Sequence, residues 1–151
     1  MTSDLVVSFF EGLCPSFCSE PVAVELLDGA PTCGIMASVG WLAGRWHILA
    51  DGNLDAKALL HVLFHELAHI RAGDVPRIEW RVVQGQRDLM TGKVTAGALE
   101  RNQAAARRDV DAVAQVQETQ ADAWADLMVS RWWPVVETVD RAIDKATRGI
   151  R

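Results

Sequence analysis

His65-Glu66-Leu67-Ala68-His69 sets two imidazoles four residues apart, with a carboxylate directly after the first. On a helix each residue turns about 100°, so His65 and His69 lie about 40° apart in azimuth and about 6 Å apart along the axis. Both rings can then reach one metal ion. Glu66 points to the side of that ion, where it is placed to take a proton from a water activated there rather than to ligate. The flanks support a helix: Leu54 to Ile70 holds no Gly or Pro and is apolar on nearly every face, the pattern of a central, buried helix. Asn53 or Asp51 is available as its N-cap, and Gly73 stands where a C-terminal stop is expected. The alternative, a pair of hydrogen-bonded core histidines, would leave Glu66 a buried charge without a partner.

Two histidines leave a catalytic zinc one protein ligand short, since such sites take three and keep the fourth position for water. The best candidate for the third lies 49 residues after His69, in Glu118-Thr119-Gln120-Ala121-Asp122-Ala123-Trp124-Ala125-Asp126-Leu127. Glu118 and Asp122 share a helical face, and Ala121 and Ala125 make a small-residue stripe that lets this helix approach the first closely. Glu118 is therefore the expected ligand. Asp122, one turn on, is expected to accept the ring N–H of a ligand histidine and fix its tautomer.

With both motifs in place the chain resembles the gluzincin metallopeptidases, in which His-Glu-x-x-His is completed by Glu-x-x-x-Asp/Asn on a second helix. Within them it most resembles the ImmA/IrrE-like metallopeptidases of bacteria, phages and integrative elements, on His65 to Ile70 with Gly73-Asp74, and on Glu118, Ala121, Asp122, Ala125 and Leu127. The resemblance spans roughly residues 20 to 130. It implies an α+β chain with a minimal zincin-like fold: a small three-stranded sheet packed on the active-site helix, and a mainly helical C-terminal half. It also implies a zinc metalloendopeptidase whose Zn2+ is held by His65, His69 and Glu118, with Glu66 as general base and a regulatory protein of a bacterial or mobile-element system as its substrate. Asp122 stands where Asn is commoner, and the stretch between the motifs is longer than usual for the family. The chain has no tyrosine, so any help to the oxyanion falls to His47, His61, an arginine or the zinc alone. Two rival classes keep the same residues: a zinc-binding module without turnover, and an adaptor or antitoxin-like protein that uses the fold for contact. Glu66 favours the enzyme, because a binding module has no chemical need for a base beside the metal.

Composition agrees with an ordinary globular enzyme. At 151 residues and half hydrophobic, the chain can bury a sizeable core as one domain, residues 1–151, with a helical insertion at about 74–110. The N-terminal stretch lacks a basic start and its apolar run is broken at once, so no signal peptide is expected and the protein is expected in the cytoplasm. No apolar stretch approaches the roughly 18 residues of a membrane span. Cys14, Cys18 and Cys33 are an odd number, in keeping with reduced, buried thiols rather than a metal site. Residues 1–70 carry eight acids against two bases, whereas residues 71–108 carry eight bases against four acids. Arg71, Arg77, Arg81, Arg87, Lys93, Arg101, Arg107 and Arg108 can be read as a face for an acidic partner, but acids are interspersed and the whole chain is acidic. The expectation is a solvated helical surface, with a peptide substrate and no nucleic acid as partner.

Along the chain, an N-terminal helix or strand over roughly Leu5 to Leu13 leads past Pro15 and Pro21 into a three-stranded meander. Its strands are expected at Val22–Leu27, Gly34–Val39 and Trp46–Ala50, with turns near Asp28-Gly29 and Gly40 to Gly44. A helix around Ile78 to Met90 should follow the active-site helix, then a long helix from about Leu99 to Trp133. Pro134 should start a last helix that buries Val135, Val139 and Ile143. Trp124, Trp132 and Trp133 read as core or interface filler.

Overall fold

The computed structural model describes residues 1–28, 36–75, 87–88, 90–91, 93 and 111–148. Among them it is an α+β arrangement with a small three-stranded mixed sheet and three α-helices. The elements are α1 (Ser3–Leu13), β1 (Val22–Leu27), β2 (Ala37–Leu42), β3 (Arg45–Asp51), α2 (Ala56–Ala72) and α3 (Asp111–Arg148). No helix of the described residues is long and apolar enough to cross a membrane. Of the helix expected around Ile78 to Met90 only Arg87, Asp88 and Met90 are described, and they are helical; the rest of it, most of the insertion at 74–110, Cys33 and the arginines 77, 81, 101, 107 and 108 lie outside the described residues.

The sheet corrects the expected meander. Its order is β1-β3-β2, with β1 parallel and β2 antiparallel to the central β3. Hydropathy shows which residues form strands but not who sits in the middle, and burial decides that. β3 is the most deeply buried strand, from Trp46 through Ile48 to Asp51, so it gains most from neighbours on both sides. Its side chains serve both faces: Trp46, Ile48 and Ala50 join the main core, while Leu49 packs with Leu27 and Met90 on the other side. The order is cheap to connect, since Leu27 and Ala37 oppose Asp51 and Ala50 at the same end of β3. β2 runs through Gly40, which pairs with His47, so the hairpin turn is only Ala43-Gly44, both in left-handed backbone (φ 51° and 80°). Two such residues match the right-handed twist of a tight hairpin.

α2 lies at the centre, with Leu59, Leu60, Val62, Leu63, Phe64, Leu67 and Ile70 buried. Its N-cap is Asp55, not Asn53 or Asp51: the Asp55 carboxylate accepts from Lys57 N–H at 3.0 Å and Ala58 N–H at 2.9 Å. Asp51 instead holds the preceding turn by accepting from the backbone and side chain of Asn53, each at 2.9 Å. At the other end Gly73 takes a left-handed conformation (φ 75°), where a side chain would be strained, and Asp74 N–H returns to His69 O at 3.0 Å. That is a Schellman-type stop.

The N-terminal segment is a helix, and its Phe10 packs edge-on against Phe64 of α2 with centroids 5.4 Å apart. α3 runs antiparallel to α2, and Ala121 and Ala125 are buried in the contact, as the small-residue stripe requires. Trp124 fills the space beside them, edge-on to both Phe64 and Phe17, and Trp132 and Trp133 also pack on the core. Pro134 does not start a new helix but lies inside α3. A proline there removes one bond, to the carbonyl of residue i−4, here Ser130, which is exposed to water. Packing of Met128, Val129 and Val136 on either side holds the helix through it. Beyond it Val136 is the buried residue, whereas Val135, Val139 and Ile143 are 41%, 36% and 50% exposed, contrary to the face expected from their spacing.

Candidate metal centre

The antiparallel pairing of α2 and α3 sets three histidines opposite three carboxylates. His61, His65 and His69 lie one turn apart on α2; Asp126, Asp122 and Glu118 lie one turn apart, in reverse order, on α3. His61 Nε2 is 3.1 Å from Asp126 Oδ1 and His65 Nδ1 is 2.8 Å from Asp122 Oδ1. At the third rung Glu118 turns its oxygens to both remaining nitrogens: Oε2 is 3.1 Å from His65 Nε2 and Oε1 is 3.4 Å from His69 Nε2. His65 Nε2 and His69 Nε2 are 3.0 Å apart. The outer nitrogen of His69 also has a carboxylate, Asp74 Oδ2 at 3.3 Å from Nδ1, and Asp74 Oδ1 accepts from Gln117 Nε2 at 2.9 Å.

An ionised carboxylate only accepts, so Asp122 and Asp74 can each take a hydrogen from the Nδ1 of their histidine, and in that tautomer a neutral ring turns a bare Nε2 lone pair inward. Two lone pairs and a carboxylate then face one another at 3.0 to 3.4 Å. A proton on one ring relieves one such contact; a cation relieves all of them at once. Donors bound at 2.0–2.1 Å to one tetrahedral zinc lie about 3.3 Å apart, and one donor atom from each of His65, His69 and Glu118 lies within 4.8 Å of the others, near enough to gather round one ion. His65, His69 and Glu118 are thus a group able to bind a metal ion, with the carboxylate–histidine backing that fixes ligand tautomers.

Glu66 is 8% exposed, and no described residue donates a hydrogen bond to its carboxylate. Burial pushes it up to about 7; the nearby His65 acts to lower it and the Glu118 carboxylate to raise it. It lines the same cleft as the donor group, a volume of about 600 Å³ whose other wall is Met36 to Val39, at the start of edge strand β2.

The structure therefore brings His65, Glu66, His69, Glu118 and Asp122 together. Of the groups considered for the oxyanion, His61 lines the cleft, while His47 on β3 does not and no described arginine does. Arg71 instead lies over the Trp124 ring at 4.8 Å, and Arg87 is paired with Glu25 on β1. Those two basic residues are therefore engaged with the protein itself. Cys14 is buried, which together with Cys18 and Glu11 pushes its thiol up to about 12, so it is held as the unreactive thiol rather than as a nucleophile. Asp74, Gln117 and Asp126 were not anticipated as members of the site. Asp74 had a signal, its place directly after the glycine that stops the helix; Gln117 and Asp126 had none before the register of the two helices was known.

If Asp122 holds His65 as this contact indicates, Asp122→Asn should be better tolerated than Asp122→Ala, because the amide oxygen still accepts the Nδ1 hydrogen. The alanine variant is expected to lose roughly 10-fold to 100-fold in zinc affinity. Parallel zinc titrations check this, and wild-type affinity in both variants would remove Asp122 from the site.

No family model, curated protein or solved structure matches this chain.

Proposed function

We propose that this chain is a zinc-dependent metallopeptidase of the gluzincin type, with a minimal zincin-like fold similar to that of the ImmA/IrrE-like peptidases. The observation that carries it is the convergence of His65, His69 and Glu118 donor atoms beside the buried Glu66 in an open cleft. Two imidazole nitrogens and a carboxylate oxygen suit zinc, which when bound supplies a Lewis acid for the scissile carbonyl and acidifies water. Glu66 takes the proton of the attacking water and returns it to the leaving amine. Burial pushes this carboxyl up to about 7 in the metal-free chain, and a cation held beside it would draw it back down, toward the ionised form that accepts the proton. Asp122 and Asp74 hold the rings of His65 and His69 in the tautomer that keeps Nε2 available. The substrate pairs as an extended strand along the outer edge of β2, which carries no further strand among the described residues. Its source is a regulatory protein of a bacterial or mobile-element system, in line with the resemblance in the two motifs.

The zinc-loaded chain should cleave casein, lose that activity when a chelator strips the metal, and recover it on adding zinc back. A zinc-loaded chain that leaves casein and a panel of unstructured peptides intact would overturn this reading in favour of a zinc-binding interaction module.

A further inference from the structure

We propose that Gln117 is a positioning residue of the metal site, acting through Asp74 to fix the ring of His69; this rests on the metal-site reading above. The two ligand histidines are backed differently. Asp122, the partner of His65, is carried by α3 itself and sits at a tight 2.8 Å. Asp74, the partner of His69, lies just past the end of α2 and sits at a looser 3.3 Å. Its backbone is held by the bond to His69 O, but a side chain with one long contact can swing away and release the ring. The second contact prevents this. Gln117 donates to the other Asp74 oxygen at 2.9 Å, so the carboxylate is pinned at both oxygens in a half-buried position.

The geometry closes a loop. Gln117 immediately precedes Glu118, whose Oε1 faces His69 Nε2. Adjacent residues of α3 therefore address opposite nitrogens of one imidazole: Glu118 directly, Gln117 through Asp74. A rotation of the His69 ring that breaks one contact strains the other. The chemistry of the pair sets its direction, since an ionised carboxylate only accepts and the amide NH2 is the only donor Gln117 has.

A plain structural bond between the helix end and α3 would look the same in one snapshot, so the test is a double-mutant cycle on zinc affinity, using the full chain stripped of metal and titrated with Zn2+ against a chromophoric chelator. Asp74→Ala is expected to weaken binding roughly 10-fold to 100-fold. Gln117→Ala should weaken it by about 3-fold to 10-fold, and by nothing further when added to Asp74→Ala, because its effect passes through that carboxylate. Asp74→Asn replaces Asp74→Ala in the cycle if the latter does not fold. Gln117→Glu adds negative charge near the cation yet cannot donate to Asp74, and it too should weaken binding. Melting of the metal-free Gln117→Ala chain should match wild type. Losses that add in the double variant, a Gln117→Glu chain that binds more tightly, or wild-type affinity in Gln117→Ala would each overturn the positioning role while leaving the metal site standing. A wild-type chain that takes up no zinc would instead overturn the metal site, and this inference with it.

Discussion

Glu66→Gln is expected to lower hydrolysis by about 100-fold to 10,000-fold while leaving the zinc content unchanged, because the amide cannot take up a proton and is not one of the three donor groups. The same substitution should have an opposite effect on stability. In the folded metal-free chain Glu66 titrates near 7, against an ordinary value of 4.5. Its folded-state value is raised, so the favourable contribution is fully present below about pH 4.5 and is lost as pH rises through 7. Each pKa unit corresponds to about 1.4 kcal/mol, so the shift amounts to about 3 kcal/mol of destabilisation at pH 8, where the buried group must be charged. Glutamine has the shape of the protonated acid and no charge to bury. Metal-free Glu66→Gln should therefore melt higher than metal-free wild type at pH 8, with the difference closing toward pH 4.5. Denaturation at the two pH values, alongside zinc analysis and a peptidase assay, checks the three expectations together. Loss of zinc in this variant would make Glu66 a ligand; full retained activity would move the chemistry elsewhere.

Glu118→Ala and His69→Ala should each weaken zinc binding by at least roughly tenfold, since each removes one of three donors and leaves a site that no longer encloses the ion. Glu118 is the cleaner test. Its side chain is 55% exposed and lies outside the hydrophobic core, so metal-free Glu118→Ala should melt like wild type, which separates loss of metal from loss of fold. His69 is 8% exposed and its removal also frees Asp74 from its ring contact, so that variant should lose some stability as well. Zinc bound per chain after reconstitution and dialysis gives the result: about one for wild type and well below one for both variants. A Glu118→Ala chain that keeps zinc as tightly as wild type would show that the third ligand is another residue.

What could be read from the chain alone was whatever depends on neighbours in sequence. The four-residue spacing of His65 and His69, and of Glu118 and Asp122, is a property of one helix turn, so both pairs and their faces were legible at once. So were the burial of α2, the stop at Gly73, the small-residue stripe at Ala121 and Ala125, and the existence of three strands. The rest depends on elements meeting, which no local spacing encodes. β3 lies in the sheet between β1 and β2 and is the most deeply buried of the three although β1 is the more apolar in sequence, so neither alternation nor composition reveals that order. Val135, Val139 and Ile143 make an apolar stripe by spacing, yet the position of the core relative to α3 buries Val136 instead. Pro134 signals a helix start only where packing does not carry the helix through, and here it does. The register between α2 and α3 decided the most: it set His61 against Asp126, put Glu118 between two imidazoles, and brought Gln117 to Asp74. Those contacts join residues more than 40 positions apart, and only the packing of two helices, set by side chains elsewhere along them, determines which rungs align.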